Sequence, residues 1–185
     1  TKPASELGSE SAVLNAAANP GGQPTRGWFR YDTKEPTACD DRFGLRLPEI
    51  PSTDAESGTP ESRVLGSDLG AGSKPVSYAQ KLTGLQPNTT YYFCAIAGAG
   101  DRVRFGKVLS LTTGAAPPTV TTEKASDLSG DSAVLNGAAT ANGEGVTAWF
   151  RYGSSKPERC DDSFGVRADA FYTPSLAKAG APVPY

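Results

Sequence analysis

The sequence predicts an all-β protein in which two β-sandwich modules follow one another along the chain. Short alternating segments, bounded by glycine, proline or asparagine, recur throughout, and no long segment has the 3.6-residue period of a helix. The 21 glycines and 15 prolines indicate a chain rich in turns, because they follow no Gly-X-Y period. Residues 1–46 also align without a gap with residues 122–167, and half of the aligned positions are identical. Such arrays of similar modules are typical of scaffold or display proteins.

The strand pattern recurs five times in the first module. The predicted strands are Ser11–Ala18, which ends at an Asn-Pro-Gly-Gly turn, then residues 27–32, 76–82, 91–97 and 107–112. Residues 47–74 are rich in Ser, Gly, Pro and Asp and are predicted to be mostly loop. The second module is shorter in this stretch, as a surface loop tolerates.

The repeat sets the domain boundaries at a first module of residues 1–113, a Pro-rich linker at 114–118 and a second module of residues 119–185. A strand is predicted just ahead of the second copy. Thr1 aligns with Thr122, so the first module is expected to lack that strand, and the second module is expected to be truncated. The chain is then either an excerpt from a longer repetitive protein or a subunit whose missing strands come from neighbours.

Composition narrows the function classes. The chain has no histidine, which removes the commonest general base and metal ligand, and the residues form no evident catalytic pair. We therefore expect no enzyme activity, no metal site and no cofactor. A net charge of −2 with scattered Lys and Arg gives no reason to expect nucleic acid as a partner. No apolar run approaches the ~18 residues of a membrane span.

One segment resembles the signature of the fibronectin type III family. The family pattern Gly-Leu-x-Pro-x-Thr-x-Tyr is matched at the positions Gly84, Leu85, Pro87, Thr89 and Tyr91. The resemblance, closest to the bacterial branch, implies tandem fibronectin type III-like, immunoglobulin-like sandwiches. It also implies that the Tyr91 hydroxyl reaches back to the preceding turn as a tyrosine corner. The usual bulky aromatic of the second strand is replaced by Ala16 or Gly137, so other core aromatics must fill that space.

Alternation within the implied strands assigns side chains to the two faces of the sheets. The residues expected to point inward are Ala12, Leu14, Phe29, Tyr31, Tyr91, Phe93 and Ala95. Those expected to point outward are Trp28, Arg30, Cys94 and Ile96. Trp28 beside Arg30 favours cation–π stacking. These two residues and their repeats, Trp149 and Arg151, are either a docking face or local cover for the sheet.

Three cysteines favour a compartment that permits disulfides, although reduced, buried thiols are the alternative. The implied topology places Cys39, after the third family strand, at the same end as Cys94, early in the sixth. We expect these two to be bridged, and we expect Cys160 to pair with a cysteine beyond the chain end.

Three further features carry alternatives. The Asp pairs that follow Cys39 and Cys160 are either solvated turn residues or part of a Ca²⁺ site. Asn88 begins a formal N-glycosylation sequon within the corner turn. The loop 98–105 joins strands six and seven, and it is either a plain connection or a partner-binding loop. Its candidate contact residues are Asp101, Arg102, Arg104 and Phe105.

Together these features predict a structural or adhesive segment of a secreted bacterial surface or filament protein. Its expected partners are other copies of the same protein or neighbouring modules, with a surface glycan or protein ligand as a further candidate. The alternative is a non-catalytic spacer in a secreted carbohydrate-active enzyme, and a weaker one is a receptor ectodomain. More copies of the repeat in the gene would favour the first, and one catalytic domain the second.

Overall fold

The computed structural model describes residues 1–48, 66–143 and 145–168, and the backbone of residues 175–176 and 183–184. These residues form strands and no helix. The chain divides into two compact units, Thr1–Gly114 and Ala115–Tyr185. The division falls at the start of the predicted linker.

The first unit contains nine described strands. They are β1 (Lys2–Ser5), β2 (Ser11–Ala18), β3 (Thr25–Asp32), β4 (Leu45–Leu47), β5 (Ser67–Gly70), β6 (Val76–Thr83), β7 (Thr90–Ala99), β8 (Arg102–Phe105) and β9 (Leu109–Thr112). One sheet has the order β1-β2-β6 and the other the order β4-β3-β7-β8, with β5 also on β3 and β9 also on β7. All the pairings are antiparallel.

A single core joins the two sheets of this unit face to face, as in a β-sandwich. It takes side chains from β2 and β6 of one sheet and from β3 and β7 of the other. Every residue expected to point inward belongs to this core, namely Ala12, Leu14, Phe29, Tyr31, Tyr91, Phe93 and Ala95. The alternation in the sequence therefore predicted the inner faces correctly.

Tyr78 fills the space that the small residue Ala16 leaves in the core. Ala16 and Tyr78 are register partners on β2 and β6, and the Tyr78 ring lies 5.2 Å from the ring of Phe29. A Cβ on Gly27 would come within 2.7 Å of this ring, so glycine is needed there. The Tyr78 hydroxyl donates to the Ile96 carbonyl at 2.9 Å and thereby ties the sheets together. Burial raises the pKa of Tyr78 above its ordinary value.

Tyr91 makes the contact that the sequence predicts for a tyrosine corner. Its hydroxyl oxygen accepts a hydrogen bond from the backbone N–H of Gln86 at 2.9 Å. The ring is buried and contacts Tyr31, with the ring centroids 6.5 Å apart. The hydroxyl thus fixes the turn 86–89 against the start of β7.

Tyr91→Phe should lower the free energy of unfolding of the first unit by about 1–2 kcal/mol, because the Gln86 N–H loses its acceptor. Native-state hydrogen exchange of β7 amides in the full chain would measure this. Tyr92→Phe is the matched control, because no side-chain hydrogen bond involves its hydroxyl among the described contacts. An equal effect of the two variants would contradict a role for the Tyr91 hydroxyl.

Three of the sequence expectations for this unit need correction. A first strand is present, because β1 pairs with β2 from Lys2↔Asn15 to Ser5↔Val13. The stretch 98–105 is not a plain loop, because β8 folds back on β7 as a hairpin from Ala99↔Arg102 to Ile96↔Phe105. The stretch 47–74 contains strand β5, and its residues 49–65 lie outside the described residues.

The second unit contains seven described strands. They are β10 (Thr119–Thr122), β11 (Gly137–Thr140), β12 (Val146–Thr147), β13 (Arg151–Tyr152), β14 (Val166–Arg167), β15 (Ser175–Leu176) and β16 (Val183–Pro184). The strands pair as β10-β11-β16, β12-β15 and β13-β14. The pairs repeat the register of the first unit. Arg151↔Arg167 matches Arg30↔Arg46 under the sequence alignment.

One asparagine in each unit clamps the irregular start of the module to the next strand. The Asn15 side-chain amide donates to the Pro3 carbonyl and to Ser5 Oγ, both at 3.0 Å. Asn136 repeats these contacts with the Lys124 carbonyl at 2.9 Å and with Ser126 Oγ at 3.1 Å. The asparagine at the end of the repeated Ser-Ala-Val-Leu-Asn block is therefore a backbone anchor.

Candidate interaction surface

The predicted bridge between Cys39 and Cys94 is confirmed. The two Cα atoms are 5.9 Å apart, and 55 positions separate the residues in the sequence. Cys94 is completely buried in β7, whereas Cys39 lies in the irregular segment after β3. The bridge fastens that segment to the outer face of the sheet. Cys160, the repeat of Cys39, is a free and exposed thiol.

The first aspartate after each repeated cysteine builds a turn. Asp40 Oδ1 accepts the backbone N–H groups of Arg42 and Phe43, both at 2.7 Å. Asp161 Oδ1 does the same for Ser163 at 2.9 Å and for Phe164 at 3.1 Å. The hydrogen bonds from Ser163 lower the pKa of Asp161. A carboxylate that accepts two adjacent N–H groups is a turn anchor, as the sequence predicted.

The second aspartate of the first unit has a different task, because it reaches back to β3. Asp41 Oδ1 accepts the indole N–H of Trp28 at 2.8 Å and Arg30 Nε–H at 3.0 Å. Arg30 also donates through Nη2 to the Asp41 carbonyl and through Nη1 to the Gly44 carbonyl, the latter at 3.2 Å. The expectation of a solvated pair is therefore wrong for Asp41.

Arg46 of β4 supplies the cation that stacks on Trp28. Its Cζ lies 4.4 Å from the centroid of the indole ring, whereas Arg30 is turned toward Asp41. The predicted Trp28–Arg30 stacking is therefore wrong. Burial lowers the pKa of Arg46, and Asp41, 3.8 Å from Arg46 Nη1, partly opposes this shift. We call Trp28, Arg30, Asp41 and Arg46 the first cluster.

The second unit repeats this arrangement as the second cluster, which comprises Trp149, Arg151, Asp162 and Arg167. Asp162 Oδ1 accepts the Trp149 indole N–H at 3.0 Å and Arg151 Nε–H at 2.9 Å. Arg167 Cζ lies 4.6 Å from the indole centroid. The hydrogen bonds from Arg151 and Trp149 lower the pKa of Asp162. The same four contacts thus hold the loop after the third family strand in both units.

The two clusters differ in exposure. Trp28 is only 6% exposed, so its predicted role in a docking face is wrong, and it serves as local cover for the sheet. Cys94 and Ile96, also expected to point outward, are completely buried. Trp149 is 40% exposed and stays available for contact.

A glycine that the sequence analysis missed shapes each cluster. Gly44 has φ +46°, and a Cβ there would lie 2.1 Å from the Tyr31 carbonyl oxygen. Gly165 has φ +52° and the same clearance from the Tyr152 carbonyl oxygen. No L side chain fits at either position. The signal was present in the sequence, because the repeat keeps both this glycine and the arginine two residues later.

The β7–β8 hairpin presents the other group of predicted contact residues. Asp101 lies in its turn, Arg102 and Arg104 are exposed on β8, and Phe105 is 48% exposed. Arg104 Nη1 donates to the neighbouring Val103 carbonyl at 3.1 Å. The hairpin therefore offers two guanidinium groups and one aromatic ring on an edge strand.

The remaining site predictions concern ions, sugars and membranes. Among the described residues, no three His, Cys, Asp or Glu side chains group as a metal site. Asn88 is exposed and has φ +50°, and its glycosylation stays a prediction. The part of the chain that the structure describes contains no helix long and apolar enough to cross a membrane.

Comparisons with protein-family models, with curated proteins and with solved structures find no match for this chain. Its function is therefore inferred from its own residues.

Proposed function

We propose that the chain is a segment of tandem fibronectin type III-like modules that serves a structural and adhesive role outside the cell. It acts through contacts between modules of neighbouring molecules. A surface glycan or a protein ligand is a further partner of the same kind of surface. No step of covalent chemistry is part of this role.

The family assignment draws support from the first unit. Its sheet orders β1-β2-β6 and β4-β3-β7-β8 correspond to the three-stranded and four-stranded sheets of that family. The hydrogen bond from the Gln86 N–H to Tyr91 Oη lies where the family's tyrosine corner lies. The register of β11–β16 in the second unit, Ala139↔Val183, repeats Ala18↔Val76 of the first.

The observation that carries the structural role is the cluster built twice. In each unit one aspartate receives an indole N–H and a guanidinium N–H, and a second guanidinium covers the indole. These contacts use up the polar groups of the tryptophan side chains in holding a loop. Residues that fasten a loop in every repeat favour a rigid building unit over a reactive site.

The extracellular assignment rests on the disulfide. The Cys39–Cys94 bridge closes a long loop, and such structural bridges persist in oxidising compartments. The adhesive assignment rests on the hairpin, where Arg102, Arg104 and Phe105 are exposed together. Aromatic and arginine side chains are the types enriched in protein interfaces.

Clustering of coated beads tests the proposal. Beads that carry the oxidised full chain should cluster with one another, and the Phe105→Ser variant should cluster much less. Leu45→Ser is the matched control, because Leu45 is also an exposed large apolar side chain but lies outside the hairpin. Beads that stay single with the unaltered chain would contradict homotypic adhesion and would favour the spacer role.

A further inference from the structure

The third family strand has neighbours on both sides in the first unit. There β3 pairs with β4 and β5 on one side and with β7 on the other. In the second unit the equivalent residues form β12 and β13. Among the described residues β12 pairs only with β15, and β13 only with β14. Both partners lie on the side that corresponds to β4 and β5, so the β7 side of β13 is an open edge.

Side-chain exposure marks the same edge. In the first unit Tyr31 contacts Tyr91 of β7, and a Cβ on Gly98 of β7 would lie 2.8 Å from the ring of Trp28. Tyr31 is 8% exposed. Its repeat Tyr152 is 51% exposed, and the repeat of Trp28 is exposed as well. The aromatic residues that β7 covers in one unit are thus uncovered in the other.

A thiol lies beside this edge. In the first unit Cys39 is bonded to Cys94, which lies directly opposite Arg30 in the β3–β7 register. Cys160 is the repeat of Cys39, and it is a free, exposed thiol. The edge therefore combines unpaired backbone groups, uncovered aromatic rings and a covalent anchor point.

We propose that the open edge of β13 accepts a cysteine-bearing β-strand of the β7 type, supplied by a further repeat of the same kind, and that Cys160 bonds to its cysteine. This inference rests on the proposed tandem-repeat function and names one contact within it. The first unit sets the register. The incoming cysteine lies opposite Arg151, and the residue before it lies opposite Tyr152.

A folded second copy of this chain does not fit as the occupant. Its own β7 is central in a sheet between β3 and the strands β8 and β9, and its Cys94 is already bridged. The occupant must be an unpaired extended segment with apolar residues on alternate positions and one cysteine. Such a segment gains main-chain hydrogen bonds along the edge and covers Trp149 and Tyr152.

The bond forms by thiol–disulfide exchange. The Cys160 thiolate attacks the incoming cysteine sulfur, which is already in a mixed disulfide with a small thiol such as glutathione. The Cys160–strand bond forms, the mixed disulfide breaks, and the small thiol leaves as its thiolate. One disulfide replaces another, so no further oxidant is needed.

The test adds a synthetic peptide to the full 185-residue chain. The peptide has the sequence of residues 84–113, and its single cysteine is activated as a mixed disulfide with thionitrobenzoate. Release of the coloured thiolate measures the rate, and mass spectrometry locates the bond. We expect Cys160 to react about 10-fold faster, or more, than it does with a scrambled peptide, since binding in register makes the reaction effectively intramolecular.

Two controls make the result specific. A peptide in which Cys94 becomes alanine and Ala95 becomes cysteine places the thiol on the opposite face of the strand, and it should react at the scrambled rate. The Cys160→Ser chain should give no product at that position. Equal rates for all peptides, or a Cys160–Cys160 dimer that forms faster than the peptide adduct, would overturn the proposal. Bead clustering of the unaltered chain is read separately, so a failure here is distinct from a failure of the adhesive role.

Discussion

Removal of the Cys39–Cys94 bridge should lower the free energy of unfolding of the first unit by about 4 kcal/mol. The bridge closes a loop across a sequence separation of 55, and the chain-entropy model assigns a cross-link of that length a stabilisation of this size. Since a small domain has about 5–15 kcal/mol of stability in total, the reduced unit should be close to unfolding.

The measurement is native-state hydrogen exchange of the β3 and β7 amides in the full chain, before and after reduction. Cys39→Ala with Cys94→Ala should reproduce the reduced protein. Cys160→Ala is the matched control and should leave these amides unchanged, because Cys160 is a free thiol of the other unit. Equal protection of oxidised and reduced chains would show that the bridge adds no stability.

Asp41→Ala should have the second largest effect and lower the free energy of unfolding of the first unit by about 2–3 kcal/mol. The change leaves the indole N–H of buried Trp28 and the Nε–H of Arg30 without their shared acceptor. It also removes the carboxylate near Arg46, whose guanidinium is already partly desolvated. The Trp28 indole N–H resonance should move toward its position in an unfolded chain.

Two variants bracket this result. Asp41→Asn keeps one acceptor oxygen and removes the charge, so it should cost less than Asp41→Ala. Asp162→Ala removes the equivalent carboxylate of the exposed second cluster and should have a clearly smaller effect on the second unit. If Asp41→Ala leaves both the stability and the Trp28 resonance unchanged, the first cluster does not hold the loop.

The sequence by itself was sufficient for the inner half of the first unit. Period-two alternation in β2, β3 and β7 assigned the buried side chains, because successive residues of a strand must point to opposite faces. The signature around Tyr91 located the corner. Cys39 and Cys94 were paired through the topology that the same signature implied. These are local patterns or consequences of one recognised strand order.

Only the tertiary structure decided what covers the outer face. Alternation placed Trp28 and Ile96 on that face, but it carries no information about which loop lies over them. The cover depends on Asp41 reaching back across the sequence to Trp28 and Arg30, and on Arg46 stacking from another strand. Such contacts depend on the path of a loop, which neither periodicity nor propensity fixes.

The hairpin and the inter-sheet tyrosine have the same explanation. Residues 102–105 became a strand because β7 extends far enough to pair with them, and a short polar segment does not announce a partner of that kind. Tyr78 was predicted in phase on its strand, but its hydroxyl bond to Ile96 required the two sheets to face each other at close range. The sequence by itself determined which side chains are apolar and which face they share. The packing of sheet on sheet and loop on sheet decided which polar atoms meet, because those atoms come together only when distant segments do.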